Sequence, residues 1–187
     1  MLRTMICLIV LTLCYCVRAE DALERTLARL EANMAGLTTL DSGFIQNKRL
    51  AVFGSELELR GKVYLEKPDL FAWHVEKPMR YSMVMDGTAI SQWDEDTGIV
   101  TKISLAGNPA FETVISQMRQ WFDGRYQGLR TEYDVKLQSD VPAVLEFIPR
   151  DGSMAAAFIE QVIVTFRDDE RYIHSIEIRE KSGDSTV

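Results

Sequence analysis

Cysteine is scarce in this chain and confined to one end. All three cysteines of the 187-residue sequence, Cys7, Cys14 and Cys16, fall within an apolar stretch from Met5 to Val17. From Glu20 onward there is none, so that part of the chain has neither a disulfide framework nor thiol chemistry to draw on. Histidine is equally sparse. His74 and His174 are the only two, they lie on separate strand patterns, and neither has a Cys, His or carboxylate at a metal-ligand spacing. A surface or structural role is expected of both. There is no Gly-x-Ser-x-Gly elbow and no phosphate-cradling glycine loop. Asp94, Asp96 and Gly98 resemble the opening of a calcium loop, but the twelfth position is Leu105 where a bidentate Glu is needed. A polar hairpin turn is the expectation there. Asp151 and Asp184 stand singly in Asp-Gly and Gly-Asp contexts. The sequence therefore predicts no catalytic residue, no metal and no cofactor: a protein that is not an enzyme.

Basic charge is also short. Lys and Arg total 21 against 28 Asp and Glu, a net charge of −7. Such a surface repels phosphate backbones and anionic membrane surfaces, which excludes nucleic acid as a partner. Long apolar runs are missing as well. The stretch Met5–Val17 is about two-thirds of the roughly twenty residues that a bilayer core requires. It follows a short segment carrying Arg3 and precedes Val17-Arg18-Ala19, whose small residues fit a cleavage site before Glu20. Residues 1–19 are thus expected to be a cleaved signal peptide, and residues 20–187 one exported, monomeric domain in the periplasm. Without Arg3 and Arg18 that domain carries nineteen basic and twenty-eight acidic side chains, which keeps a shuttling protein soluble.

What is present is a change of period. Leu23, Leu27, Leu30, Met34 and Leu37 recur at helical spacing, with Glu24, Arg25, Arg29 and Glu31 on the other face and Gly36 as a stop. The period then falls to two. Leu57, Leu59, Gly61, Val63 and Leu65 alternate with charged residues. Lys67-Pro68-Asp69 breaks the run before Phe71, Trp73 and Val75, and Lys77-Pro78 breaks it before Tyr81, Met83 and Met85. Asp86-Gly87 marks a hairpin turn. Ile90 to Trp93 and Ile99 to Leu105 form a further pair. A second helix is expected from Asn108, with Pro109 in its first turn and Phe111, Val114, Ile115, Met118, Trp121 and Phe122 as a wide apolar stripe. Strand patterns resume at Thr131–Gln138, Ala143–Ile148, Ile159–Phe166 and Tyr172–Arg179, with a short helical turn in Ser153–Ala157. The fold class is mainly β (α+β): an antiparallel sheet of about ten strands with two amphipathic helices, curved so as to bury one apolar face or enclose a cavity. Methionines beside aromatics suit a face that adapts to variable apolar shapes.

The stretch Gly61–Asp86, GKVYLEKPDLFAWHVEKPMRYSMVMD, continuing into Gly87-Thr88-Ala89-Ile90, resembles the signature of the periplasmic outer-membrane lipoprotein carrier family, LolA. Phe44-Ile45-Gln46-Asn47-Lys48 resembles that family's Phe-x-Gln segment, and Asn108-Pro109-Ala110-Phe111 lies where the family places a lid helix. The resemblance implies an incomplete antiparallel β-barrel, a half-barrel with helices as a lid. It also implies a cavity that shields the acyl chains of lipoproteins passed from an inner-membrane ABC transporter to an outer-membrane receptor. The lipid-binding cavity is expected from Val63, Leu65, Phe71, Trp73, Met83, Met85, Trp93, Phe111, Ile115, Met118 and Phe122. Lys67 stands where the family usually has an arginine that hydrogen-bonds the lid, and is the expected lid latch. Lysine lacks the planar fork of arginine, so a weaker latch or a different cargo is implied. Two alternatives stay open: a LolA-like carrier of a glycolipid or polyene-type lipid working with a membrane exporter, and a lipoprotein-sensing interaction module. A hydrolase would need a triad that the sequence does not display.

Overall fold

The computed structural model describes residues 20–104, 120–121 and 123–187. The signal peptide expected over residues 1–19 and most of the second helix lie outside the described residues.

Helix α1 spans 20–35. Its apolar stripe is the expected one, with Leu23, Leu27, Leu30 and Met34 all buried. The helix stops at Gly36, where the Leu37 amide donates to the Met34 carbonyl at 3.1 Å. Eleven strands follow: β1 Thr39–Leu50, β2 Ser55–Glu66, β3 Leu70–Lys77, β4 Tyr81–Met85, β5 Ala89–Asp94, β6 Ile99–Ser104, β7 Tyr133–Asp140, β8 Ala143–Pro149, β9 Ile159–Phe166, β10 Ile173–Glu180 and β11 Ser185–Thr186. They form one open sheet in the order β6-β5-β4-β3-β2-β1-β11-β10-β9-β8-β7. All pairings are antiparallel. The mainly β half-barrel expected from the sequence is the fold found, an open sheet that does not close into a barrel.

The strand beyond the expected ten is β11. Thr186 sits opposite Lys48 of β1 on one side and Ile178 of β10 on the other. Two residues thus stitch the meander β1–β6 to the meander β7–β10. The other departures are local. The strand pattern expected from Thr131 begins at Tyr133, because Gly128–Thr131 is a 3-10 turn whose Leu129 is buried. The turn expected within Ser153–Ala157 is a 3-10 turn over Ala155–Ala157. The Asp94 carboxylate accepts the backbone N–H groups of Asp96 and Thr97 at 3.1 and 3.0 Å, the hairpin turn read from the sequence.

The apolar surface of the sheet divides in two. Helix α1 lies over β7–β9, where Leu23, Leu27, Leu30 and Met34 pack with Ala143, Leu145, Phe147, Val162, Val164 and Phe166. Trp121 meets Phe147 edge-on at 4.6 Å, and Tyr126 meets Phe166 at 5.5 Å. Burial, then the charge of Glu31, pushes the Tyr126 phenol above its usual range. Phe71 and Met85 form a separate small cluster with Val63, Leu65, Trp73, Met83 and Ile90. Among the described residues the two clusters are separate.

Helix α1 is held in place by a polar clamp. Arg29 donates from Nε to Glu170 at 2.6 Å and from a terminal nitrogen to Asp140 at 2.8 Å. The Thr26 hydroxyl donates to the same Asp140 carboxylate at 2.8 Å. Asp140 ends β7 and Glu170 lies in the turn before β10, so one helical turn ties together two loops at one end of the sheet.

Gly61 is required where β2 crosses β3. A Cβ there would lie 1.9 Å from the His74 carbonyl oxygen and 3.0 Å from Phe44 Cε1, at the register irregularity between Arg60 and Gly61. Backbone, not a flexible side chain, would have to yield. Gly61→Ala is expected to cost about 2 kcal/mol and to lower Tm by roughly 6 °C, as read by thermal unfolding.

Candidate functional site

Directly opposed residues in an antiparallel sheet project to the same face, so the register of β2–β6 places the expected site residues. One row runs Leu65–Phe71–Met85–Ile90–Ile103, and the next runs Val63–Trp73–Met83–Gln92–Thr101. Val63, Leu65, Phe71, Trp73, Met83 and Met85 therefore share one face, as the alternation required. Phe71 and Met85 are buried, 3% and 2% exposed; the other four are half-buried. Across from Val63 and Gly61, β1 supplies Ser42 and Phe44. The Phe44 ring stacks on Trp73, with centroids 3.9 Å apart and planes inclined by 29°. Gly61 makes that stack possible by leaving room beneath it.

Trp93 does not join them. It lies opposite Ser82 on β4 and Val100 on β6, which is the other face of the sheet, and it is 48% exposed. The sequence grouped it with the inward aromatics, but its hairpin partners set its parity: Ile90 and Gln92 point inward, so Trp93 points outward. Phe111, Ile115, Met118 and Phe122 lie outside the described residues. Phe44 and Ile90 belong to the face although the sequence reading named them only as strand residues and did not assign them to the cavity. The period-two pattern of β1 and β5 would have found both, once the register with β2 and β4 was known.

Lys67, in the turn between β2 and β3, bridges two helix ends. Its Nζ donates to the Met34 carbonyl at 2.9 Å and to the Asp123 carbonyl at 3.4 Å. Met34 is in the last turn of α1, and residues 120, 121 and 123 are helical. Carbonyls at a helix C-terminus have no partner within the helix and carry its partial negative charge. One ammonium with three donors can answer two such ends. Gly124 (φ +73) lets the chain leave this junction, and a Cβ on it would lie 2.5 Å from Met34 Cβ. Beside the junction, Leu65, Pro68, Leu70, Phe71, Met85 and Asp123 line a small depression at the edge of the apolar face.

The outer face holds a polar cluster. His74 Nδ1 lies 2.7 Å from Ser82 Oγ and 3.3 Å from Glu95 Oε1, and Ser82 donates to Glu95 at 2.9 Å. These are the residue types of a hydrolytic triad in the wrong order. A triad needs serine and carboxylate on opposite ring nitrogens, whereas here both meet Nδ1. Ser82 donates its proton to a carboxylate instead of surrendering it to a base. The cluster fixes the His74 ring to the Asp94–Gly98 turn and builds no nucleophile.

Comparison with known proteins identifies a family. Residues 35–187 match the family described as outer membrane lipoprotein carrier protein LolA. An outer-membrane lipoprotein carrier protein of Pseudomonas entomophila (strain L48) is 29% identical over 121 residues, 60% of this chain and 58% of that protein. One from Pseudomonas putida (strain W619) is 30% identical over 128 residues, 64% of this chain and 55% of that protein. The chain thus spans somewhat over half the length of these relatives. A solved LolA superfamily protein from Nitrosomonas europaea is 15% identical with a TM-score of 0.38, covering 90% of this chain and 75% of that one. Since the family match extends from the end of α1 through every strand of the sheet, the chain belongs to the outer membrane lipoprotein carrier protein LolA family.

Proposed function

We infer that this chain is a periplasmic carrier that shields the acyl chains of lipoproteins and ferries them from the inner to the outer membrane without catalysing a reaction. The observation that carries this reading is the second apolar cluster, a continuous face of Phe71, Trp73, Met83 and Met85 that stands apart from the main core. Each acyl methylene removed from water is worth about 0.8 kcal/mol, so lipid needs a shield to cross an aqueous compartment. The carrier must also let go. Methionine and a stacked aromatic pair make many adjustable dispersion contacts and few directional ones, which suits a cargo of variable shape. An inner-membrane ABC transporter as donor and an outer-membrane receptor as acceptor complete this reading.

In the same reading Lys67 is the latch. Its two carbonyl contacts tie α1 to the segment that ends at Asp123, and losing them frees that segment to move. Lys67→Met is expected to raise amide exchange about tenfold at Gly124 and Arg125, whose N–H groups bond to Trp121 and Gln120 carbonyls, with Leu145 in the core unchanged. Equal rates in both proteins would remove Lys67 from that role.

The direct test is native mass spectrometry of protein recovered from the periplasm, with lipid extraction of the same sample. A bound triacylated lipoprotein is the expected result. A glycolipid or aryl-polyene mass would assign the chain to the second carrier class. Protein that arrives empty and takes no lipid from a donor membrane would sink the carrier reading in favour of lipoprotein sensing.

A further inference from the structure

The longest hairpin of the sheet ends in an apolar tip. Strands β1 and β2 pair over twelve positions, from Thr39↔Glu66 to Leu50↔Ser55. Strand β3 joins β2 only as far as Arg60↔Lys77. The five residues Ser55–Leu59 therefore run past β3, a projection of roughly 17 Å at about 3.3 Å per residue. At the apex Val52 and Phe53 are 84% and 78% exposed, although neither can be spared to water without cost. A third exposed apolar side chain lies at the same end of the strands, one turn removed. The Ala51 amide bonds to Asp184 Oδ1 at 2.8 Å, and the Lys181 amide of the same turn bonds to the Phe158 carbonyl at 2.9 Å. Phe158 is 68% exposed. Three adjoining turns thus present Val52, Phe53 and Phe158 at one end of the strands.

The charges around the tip select what meets it. In a chain of net charge −7, the segment Lys48–Ser55 carries Lys48 and Arg49 and no carboxylate. Arg49 and Lys181 are exposed. Of the nearby carboxylates, Asp184 is turned to the Ala51 amide and Glu180 to Lys48; Glu56, opposite Arg49, and Glu160, next to Ile159, lie further from the apex. Apolar side chains at a hairpin apex, with cations set back from it, match the layering of a phospholipid interface, where acyl chains lie beneath phosphates. Acidic residues elsewhere on the molecule are screened beyond a distance of about 8 Å at physiological ionic strength.

We propose that the β1–β2 hairpin tip is a membrane-touching element that inserts Val52 and Phe53 into the interface of an anionic phospholipid bilayer, with Arg49 and Lys181 on the phosphates. The apolar face around Phe71 is a different surface, and the tip contact holds whether or not that face carries lipid.

The test places an indole at the tip. Full-length Phe53→Trp is mixed with vesicles of phosphatidylglycerol and phosphatidylcholine brominated on its acyl chains. Val141→Trp serves as the comparison, because Val141 is 76% exposed at the opposite end of the strands, in the turn between β7 and β8. The emission added by Phe53→Trp is expected to shift to the blue and to be quenched by the bromines, while that added by Val141→Trp is unaffected. Adding Arg49→Glu to the Phe53→Trp protein is expected to raise the lipid needed for half-quenching about fivefold. Absence of quenching in both proteins would overturn the proposal and leave the tip to an apolar pocket on a protein partner. Equal quenching at both positions would also overturn it, since the molecule would then be tethered without orientation.

Discussion

Arg29→Met is expected to destabilise the folded protein by about 2 kcal/mol, the largest loss of stability from any single polar contact described above. The reason is the partner it abandons. Glu170 is only 12% exposed at its side chain and holds a left-handed backbone, φ 53, in which a residue with a Cβ is strained. Removing the guanidinium leaves a mostly buried carboxylate without its bidentate donor, and that penalty exceeds what the intact pair contributes. The Thr26 and Asn33 contacts to the same loops remain, so α1 loosens without detaching. Urea unfolding at neutral pH measures the effect directly, and a midpoint equal to the wild type would contradict it.

The same clamp sets an acid dependence. The hydrogen bond from Arg29, then that from Thr26, hold the Asp140 carboxyl below the usual carboxylate range. A carboxyl with a lowered folded-state pKa contributes stability above its unfolded value, about 3.9 for Asp, and loses it as pH falls through the lowered one. The stability difference between wild type and Arg29→Met should therefore be full at pH 7, unchanged at pH 5, and shrink below about pH 4. A difference that stays constant down to pH 2 would mean that the Asp140 contact contributes nothing.

Trp73→Ala is expected to cut lipid uptake by about tenfold. It deletes the ring that Phe44 stacks on and the largest side chain of the second apolar cluster. Losing contact between that ring and an acyl chain forfeits about 1.5–3 kcal/mol of burial, and tenfold corresponds to about 1.4 kcal/mol. Phe71→Ala should act in the same direction at a greater cost in stability, because Phe71 is buried to 3% and its removal leaves a cavity. Trp73 is only half-buried, so its variant separates binding from folding. Uptake of a fluorescent diacylated lipopeptide reads the first quantity and thermal unfolding the second. Undiminished uptake by folded Trp73→Ala would move the lipid site elsewhere.

The inward residues and the outward ones were not equally legible. Phe71 and Trp73 alternate within a single strand between two Lys-Pro breaks, so their common face follows from the period of two alone. Lys67 was marked by its place before Pro68, but its acceptors were not. Met34 lies 33 residues away and Asp123 lies 56 residues away, and both contacts use backbone carbonyls, which leave no trace in side-chain pattern. Trp93 was misplaced for a related reason. The Ile90–Trp93 run is apolar at both ends, so composition could not decide its parity; pairing with β4 did.

Local chemistry in the chain determined the mainly β class, the position of α1, the turns at Asp86-Gly87 and Asp94–Gly98, and the lack of a metal-ligand or nucleophile motif. Each depends on neighbours within a few residues, where periodicity and turn preference act. Only the tertiary structure decided that two residues of β11 join the two meanders and that α1 packs on β7–β9. It also decided that Ser82 and Glu95 meet on one nitrogen of His74, and that Val52 and Phe53 stand at the same end of the strands as Phe158. Those outcomes depend on which strand lies against which. Contacts between residues far apart in the chain are selected by the free energy of the whole packed sheet, to which no single segment holds the key.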